Sequence, residues 1–330
     1  MSDAGTPWSV QFRRERQDAW RELEGLVEAC EKRGIRSLPA AQIARLPVLY
    51  RAALSSLGVA RSSVLDQSLR QYLESLVARS YLVVYAPKRS VREVVLPFFV
   101  SGFPAAVRSI RWHVAASAAT LLLGFLIAFA MVRRDLEDYH LFLGSEMAGG
   151  RSPEASTEDL RKTLFASPDD GLLSFTTFLF THNSSVGILT YGLGLVLGLP
   201  VVLLLLWNGM SLGAMTALFH DRGLAVEWWS WILPHGVTEL LAIVLCGAAG
   251  LAVGHRLVFP GSLSRIAALV AAGRTMGAVV AGSVLMLFLA AMVEGVFRQV
   301  VQDVSLRYVV ASTFAVLWLV YFTRAGRSSR

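Results

Sequence analysis

His235 and Glu239 stand four residues apart in Pro234-His235-Gly236-Val237-Thr238-Glu239. On a helix that spacing puts both side chains on one face, the carboxylate one turn further along. The motif opens an apolar run that reads as a membrane-spanning helix. A charge placed at the centre of such a helix costs about 3 kcal/mol on insertion scales, so it needs a partner and usually has a task. The other polar residues of the apolar region are few: His182, Asn183, Asn208 and Glu294. Imidazole, carboxylate and amide groups can hydrogen-bond across helices, hold a cation or relay protons. His182, His235, Glu239 and Glu294 are also a workable zinc ligand set. Their spacing argues against it, because His235-xxx-Glu239 is neither HExxH nor a paired-histidine helix. No serine sits in a nucleophile-elbow context. The blandest reading of His235 is a polar residue near a helix end, beside an interfacial belt of Trp228, Trp229 and Trp231.

The elements that must position these groups follow from composition. Of 330 residues, 54% are hydrophobic and only 17% charged, and the mean hydropathy is +0.53. That is too apolar for an ordinary soluble domain. Residues 1–112 hold no long apolar run, and later residues hold several in succession. The expected fold is all-α, a polytopic membrane bundle of about six spans near 113–132, 185–207, 209–220, 233–257, 275–297 and 306–323. The third is short and reads as a half-helix or a broken one. The stretch 172–182 reads as interfacial or re-entrant. No cleaved signal peptide is expected, because the first residues lack an apolar core. Cys30 and Cys246 lie in different environments, which excludes a disulfide framework.

Charge orients the chain. Residues 1–112 carry 17 Arg/Lys against 10 Asp/Glu, and 133–171 carry 5 against 9. The loop with Arg256, Arg265 and Arg274 has no acid, and the tail ends in Arg324, Arg327 and Arg330. Basic segments stay cytoplasmic, so both termini are expected inside and 133–171 outside. The basic excess is thus a topology signal, and nucleic-acid binding is not expected. His182, Asn183, His235, Glu239 and Glu294 then fall in the outer half of the membrane, with Asn208 near the inner side at a turn with Gly209.

Residues 1–89 read as a cytoplasmic helical domain, with amphipathic stretches at 11–33, 40–58 and 61–85. It could dock a partner or only pack on its own membrane part. Residues 90–112, with Pro97, Pro104 and three phenylalanines among arginines, read as an interfacial segment. The acidic segment 133–171 reads as two short helices joined by a mobile linker. Residues 113–323 make the bundle and 324–330 a basic tail. Gly194/Gly198, Gly209/Gly213, Gly250/Gly254 and Gly273/Gly277 are GxxxG pairs that favour close helix contact, within one chain or across a homodimer.

Taken together, these residues resemble the stage II sporulation protein M family of bacterial membrane proteins. The resemblance runs through Leu49-Tyr50-Arg51, Phe98 to Arg108 and Phe178-Leu179-Phe180-Thr181-His182-Asn183. It continues through Asn208-Gly209-Met210-Ser211-Leu212-Gly213, the His235–Glu239 motif and Ala290-Ala291-Met292-Val293-Glu294-Gly295. His182 departs from the Asn-Asn pair associated with the family there. The resemblance implies a multi-pass inner-membrane protein with no enzymatic activity to carry over and no cofactor. Its sporulation member works with peptidoglycan-remodelling partners during engulfment. The long cytoplasmic domain here is similar to the non-sporulation branch, so that role does not transfer. The leading reading is an envelope-associated scaffold that recruits envelope or cytoplasmic partners. The alternatives are an ion- or proton-coupled transporter using the His/Glu cluster, and an intramembrane metal-dependent hydrolase.

Overall fold

The computed structural model describes residues 8–62, 67–85, 91–144, 148–165, 172–297 and 300–327. The boundary expected at residue 89 and the terminal Arg330 lie outside the described residues. The described elements are helical, in two compact units, Met1–Ser90 and Val91–Arg330.

The first unit is three helices: α1 (Trp8–Arg33), α2 (Ala40–Ser62) and α3 (Gln67–Tyr85). Trp20, Leu23 and Val27 on α1 meet Leu46, Ala53 and Leu57 on α2 and Leu73 and Leu76 on α3 in one core. The indole Nε1 of Trp20 donates to Ser56 Oγ at 3.2 Å, which satisfies its buried N–H. Arg45–Glu22 and Arg79–Glu31, both 2.7 Å, join neighbouring helices at the surface.

The second unit begins with α4 (Val91–Pro97), a π-turn at Phe98–Gly102 and α5 (Phe103–Ser109). The aromatic residues of this segment, expected to be interfacial, pack on the bundle: Phe103 is buried against Gly282, and the Tyr321 hydroxyl donates to the Phe99 carbonyl at 2.7 Å. Arg108 Nη1 donates to the carbonyls of Phe322 and Ala325, which lack helical partners at the end of the last long helix.

The long helices are α6 (Arg111–Arg134), α9 (Leu172–Gly192), α10 (Leu199–Asp221), α11 (Ala225–Val258), α12 (Arg265–Met292, continued by a π-turn to Phe297) and α13 (Val304–Arg324). Between α6 and α9 lie the short helices α7 (Tyr139–Phe142) and α8 (Thr157–Phe165). Five of the long helices are long and apolar enough to cross a membrane, one fewer than expected from the sequence. The other, α9, is diluted by His182, Asn183, Ser184 and Ser185 but packs as a sixth leg.

Two expected spans are redrawn. The run 185–207 is not one helix: α9 ends at Gly192, and the chain turns through Leu197 (φ 56°) and Gly198 (φ 81°) before Pro200 begins α10. Gly198 supplies a left-handed φ that other residues adopt only under strain, and Pro near a helix start is favoured. The short span 209–220 is the second half of the continuous α10, and 172–182 is the first half of α9. Hydropathy cannot see this corner, because Leu193 to Leu199 are as apolar as the helices they join.

Glycine contacts set helix directions. A Cβ on Gly209 would lie 2.0 Å from the Leu121 carbonyl oxygen, and one on Gly213 would lie 2.2 Å from that of Phe125. Arg133 pairs with Asp221 at 3.3 Å further along. The register advances together, so α6 and α10 are parallel, and α9 is the return leg between them. Gly194 packs on Gly250 and Gly198 on Gly254, so α9 runs parallel to α11. Tyr308 OH reaches the Val226 carbonyl and Trp318 Nε1 reaches Thr238 Oγ1, so α13 does too. Helix α11 is central, the most buried of the long helices. Gly273 and Gly277 have nothing within 4 Å and make no such approach.

We expect Gly209→Ala to destabilise the bundle by about 1–3 kcal/mol, because its Cβ meets backbone that cannot yield. Gly277→Ala, facing open space, is expected to stay within about 0.5 kcal/mol of wild type. Unfolding of the detergent-solubilised protein by heat or denaturing detergent measures both.

Candidate polar site at the capped end

On α11, Trp228, Trp231, His235 and Glu239 recur at helical spacing along one face. The face is an aromatic ladder. Phe219 stacks on Trp228 at 4.4 Å between centroids, Trp228 on Trp231 at 5.5 Å, and Trp231 meets the His235 ring edge-on at 5.9 Å. The Trp228 N–H donates to Thr216 Oγ1 on α10 at 3.0 Å, so this buried indole is satisfied. The ladder holds the imidazole at a defined height and angle.

Glu294 comes from α12. The helix ends there in a π-turn, Val293–Phe297, which inserts an extra residue per turn and re-aims the side chain. Gly295 beside it packs directly against Thr176 of α9. His235 Nε2 lies 3.9 Å from Glu294 Oε2, and the two residues are only 6% and 7% exposed. One ligating atom from each of His235, Glu239 and Glu294 falls within 4.8 Å of the others. Two carboxylates this close in a low-dielectric setting need compensation by a proton or a cation. The imidazole can provide the first. The donor set of one nitrogen and two carboxylates can also hold a divalent cation.

Height along α11 is informative. The 20 residues from His235 to His255 rise about 30 Å, which matches the hydrocarbon thickness. Glu239 lies about 6 Å further along α11 from His235.

Above His235 sits a folded cap. The Arg151 guanidinium lies 4.7 Å over the Trp231 ring. The Tyr139 hydroxyl donates to the Arg151 carbonyl, and Arg222 Nη2 donates to the Pro153 carbonyl. Leu160 and Leu164 of α8 are buried beside Trp228 and Trp231, and Arg161 pairs with Glu227 at 2.6 Å. The sequence suggested a mobile linker between two short helices. The described part, 148–156, is instead held by these bonds and by His140 on Glu154 at 2.9 Å.

The remaining expected site residues lie elsewhere. Asn183 is half-buried on α9. His182 is exposed and stacks on Phe178 at 5.8 Å, outside the group of three, so the ligand set has one histidine and not two. One position along a helix is a rotation of about 100°, which separates the neighbours His182 and Asn183. Asn208 does not make a turn. It lies inside α10, its amide donating to the Leu204 carbonyl at 2.8 Å, and Gly209 and Gly213 serve close approach to α6.

Sequence reasoning missed Arg307, which is 1% exposed at the start of α13. Its Nε donates to the Val301 carbonyl at 2.8 Å, Nη2 to Gln302 Oε1 at 3.1 Å, and its guanidinium lies 5.3 Å over Phe165. An arginine at the mouth of an apolar helix resembles a snorkelling residue; only the folded cap buries it.

Glu154 ties the cap to pH. Hydrogen bonds from Ser152, from its own backbone and from His140 lower its pKa to about 2 from the ordinary 4.5. This contribution to cap order is complete above about pH 4.5 and is lost as the pH falls towards 2. Protection factors across 148–156, each referred to the intrinsic amide exchange rate at the same pH, are expected to fall through that window. In Glu154→Gln the same segment should exchange faster already at neutral pH and lose this pH dependence.

A family model described as "Stage II sporulation protein M" matches residues 115–297, more than half of the chain. A second, described as a domain of unknown function, matches residues 10–86. No curated protein and no solved structure matches the chain.

Proposed function

The chain belongs to the stage II sporulation protein M family, and from that premise we propose that it is a scaffold of the bacterial inner membrane. The bundle is the anchor, both termini are cytoplasmic, and the helical unit at 8–85 recruits a protein partner. The enclosure of His235 and Glu294, with Glu239 half-buried beside them, carries this reading. His235 and Glu294 are buried beneath Trp231, and Trp231 lies beneath Arg151 of the cap. That arrangement suits a clasp between α11 and α12 better than an open vestibule. Polar groups at this depth are satisfied most simply by neighbouring helices.

The orientation rests on charge. Arg108, Arg111, Arg256, Arg265, Arg274 and Arg324 gather at the end opposite the cap, and such clusters stay cytoplasmic. The exposed Tyr81, Leu82 and Tyr85 on α3 give the helical unit an apolar face of the kind partners use.

A second reading has its own observation. The convergence of His235, Glu239 and Glu294 within 4.8 Å is a donor set for a cation or a shared proton. Glu239→Gln and Glu294→Gln separate the two, because glutamine keeps hydrogen bonding and removes charge. As a clasp, the wild type in liposomes shows no cation or proton flux. The variants then retain co-purification of partners through residues 8–85 and melt within a few degrees of wild type. A flux present in wild type and absent in both variants would sink the scaffold reading. Stoichiometric metal in the purified protein, lost in Glu294→Gln, would instead favour a metal centre.

A further inference from the structure

At the end opposite the cap, a cleft of about 350 Å3 opens between the α5–α6 junction and the α11–α12 hairpin. Its polar lining is Ser109, His113, Arg256 and Thr275, and its floor includes Ala268 and Ala272. A second cleft of about 330 Å3 shares Ser109 and Thr275 and adds Arg274. Arg256 lines the first cleft and Arg274 the second, with Ser109 and Thr275 common to both. His113 Nε2 and His255 Nδ1 are 3.1 Å apart, which fixes the His113 ring at the cleft wall.

The stretches that line the clefts carry no negative charge of their own to answer the arginines. No Asp or Glu occurs in residues 94–134, 240–293 or 304–330. Among the described residues, neither Arg256 nor Arg274 forms a salt bridge, whereas Arg133 and Arg161 at the capped end each do. Arg108 is occupied by the carbonyls of Phe322 and Ala325 and takes no part. The surroundings of the cleft are apolar. Ile110, Leu263 and Met276 line it, and Trp112 is exposed with Arg111 over its ring at 5.5 Å. Exposed tryptophan beside arginine is the composition of a helix at headgroup level.

We propose that these joined clefts bind the phosphate of an anionic phospholipid. Arg256 and Arg274 answer its charge, and the Thr275 hydroxyl donates to its oxygens; the Ser109 hydroxyl donates to the Ala106 carbonyl and only lines the wall. Arginine suits this role because its fork of N–H donors matches phosphate geometry. Basic pockets between helices at the cytoplasmic face are the setting in which such headgroups are held. The site is at the opposite end from the His235 cluster and does not depend on the scaffold reading.

The test titrates the delipidated full-length protein in neutral detergent with dioleoylphosphatidylglycerol or dioleoylphosphatidylcholine, with bound lipid counted by native mass spectrometry. Phosphatidylglycerol is expected to bind wild type at concentrations where phosphatidylcholine does not. Arg256→Gln and Arg274→Gln should each weaken it roughly fivefold, Arg256→Lys with Arg274→Lys should retain most of it, and Arg324→Gln should leave it unchanged. Melting of each variant identifies those that are folded, and the two single variants decide if the double one is not. Equal phosphatidylglycerol binding by folded Arg256→Gln and Arg274→Gln would overturn the proposal, leaving the arginines as topology signals only. So would equal binding of phosphatidylcholine. Inorganic phosphate that displaces phosphatidylglycerol at comparable concentration would assign the clefts to a soluble phosphate and overturn the lipid source.

Discussion

The bundle depends on the close approach of α6 and α10, where Gly124, Gly209 and Gly213 sit on the backbone of the facing helix. In hydrocarbon there is no hydrophobic drive between helices, so packing at this distance is what holds them. The register of the contact makes the two helices parallel. Parallel neighbours cannot be joined by a short turn, so the chain must return between them, and α9 is that return. The corner at Leu197 and Gly198 follows directly, as does the placement of α9 against α11 through Gly194, Gly250 and Gly254. With α9 in place, Thr176 packs on Gly295 and helps fix the π-turn that carries Glu294.

The two ends of the bundle handle charge in opposite ways. At the capped end each prominent cation has an internal partner: Arg133 with Asp221, Arg161 with Glu227, Arg151 on Trp231, Arg307 on carbonyls and an aromatic ring. The carboxylates Glu239 and Glu294 are drawn inward to His235. At the other end Arg108 is taken up by carbonyls and Arg111 by the Trp112 ring, while among the described residues neither Arg256 nor Arg274 forms a salt bridge. Helix α11 spans both regimes, from the aromatic ladder at Trp228 to the histidine and arginine at 255 and 256. Its length, about 50 Å over 34 residues, exceeds the hydrocarbon thickness and lets it serve the cap as well as the crossing.

Much of this was legible in the residues before folding was considered. Apolar runs place α6 and α13 within two residues at each end, because hydropathy is a local, additive property of the chain; α11 and α12 begin 8 and 10 residues before the expected spans. The heptad-like spacing of Trp20, Leu23 and Val27 marks α1 in the same way. The pairing of His235 with Glu239 on one face needs only helical geometry. The α9–α10 corner was not legible, because Gly192 to Gly198 is apolar throughout and a window average runs straight across it. His182 and Asn183 read as a pair although the helix turns them to different faces.

By itself, then, the sequence determined an all-α membrane chain with a polar helical unit before it, a basic and an acidic side, and a short roster of polar residues in apolar surroundings. Only the tertiary structure decided which of those residues meet. Glu294 joins His235 and Glu239 because a π-turn re-aims it, His182 is left out by its helical phase, and Arg307 is buried because α8 and the chain before α13 close around it. Such meetings depend on register between elements distant in the chain, and register is set by packing contacts that no local pattern encodes.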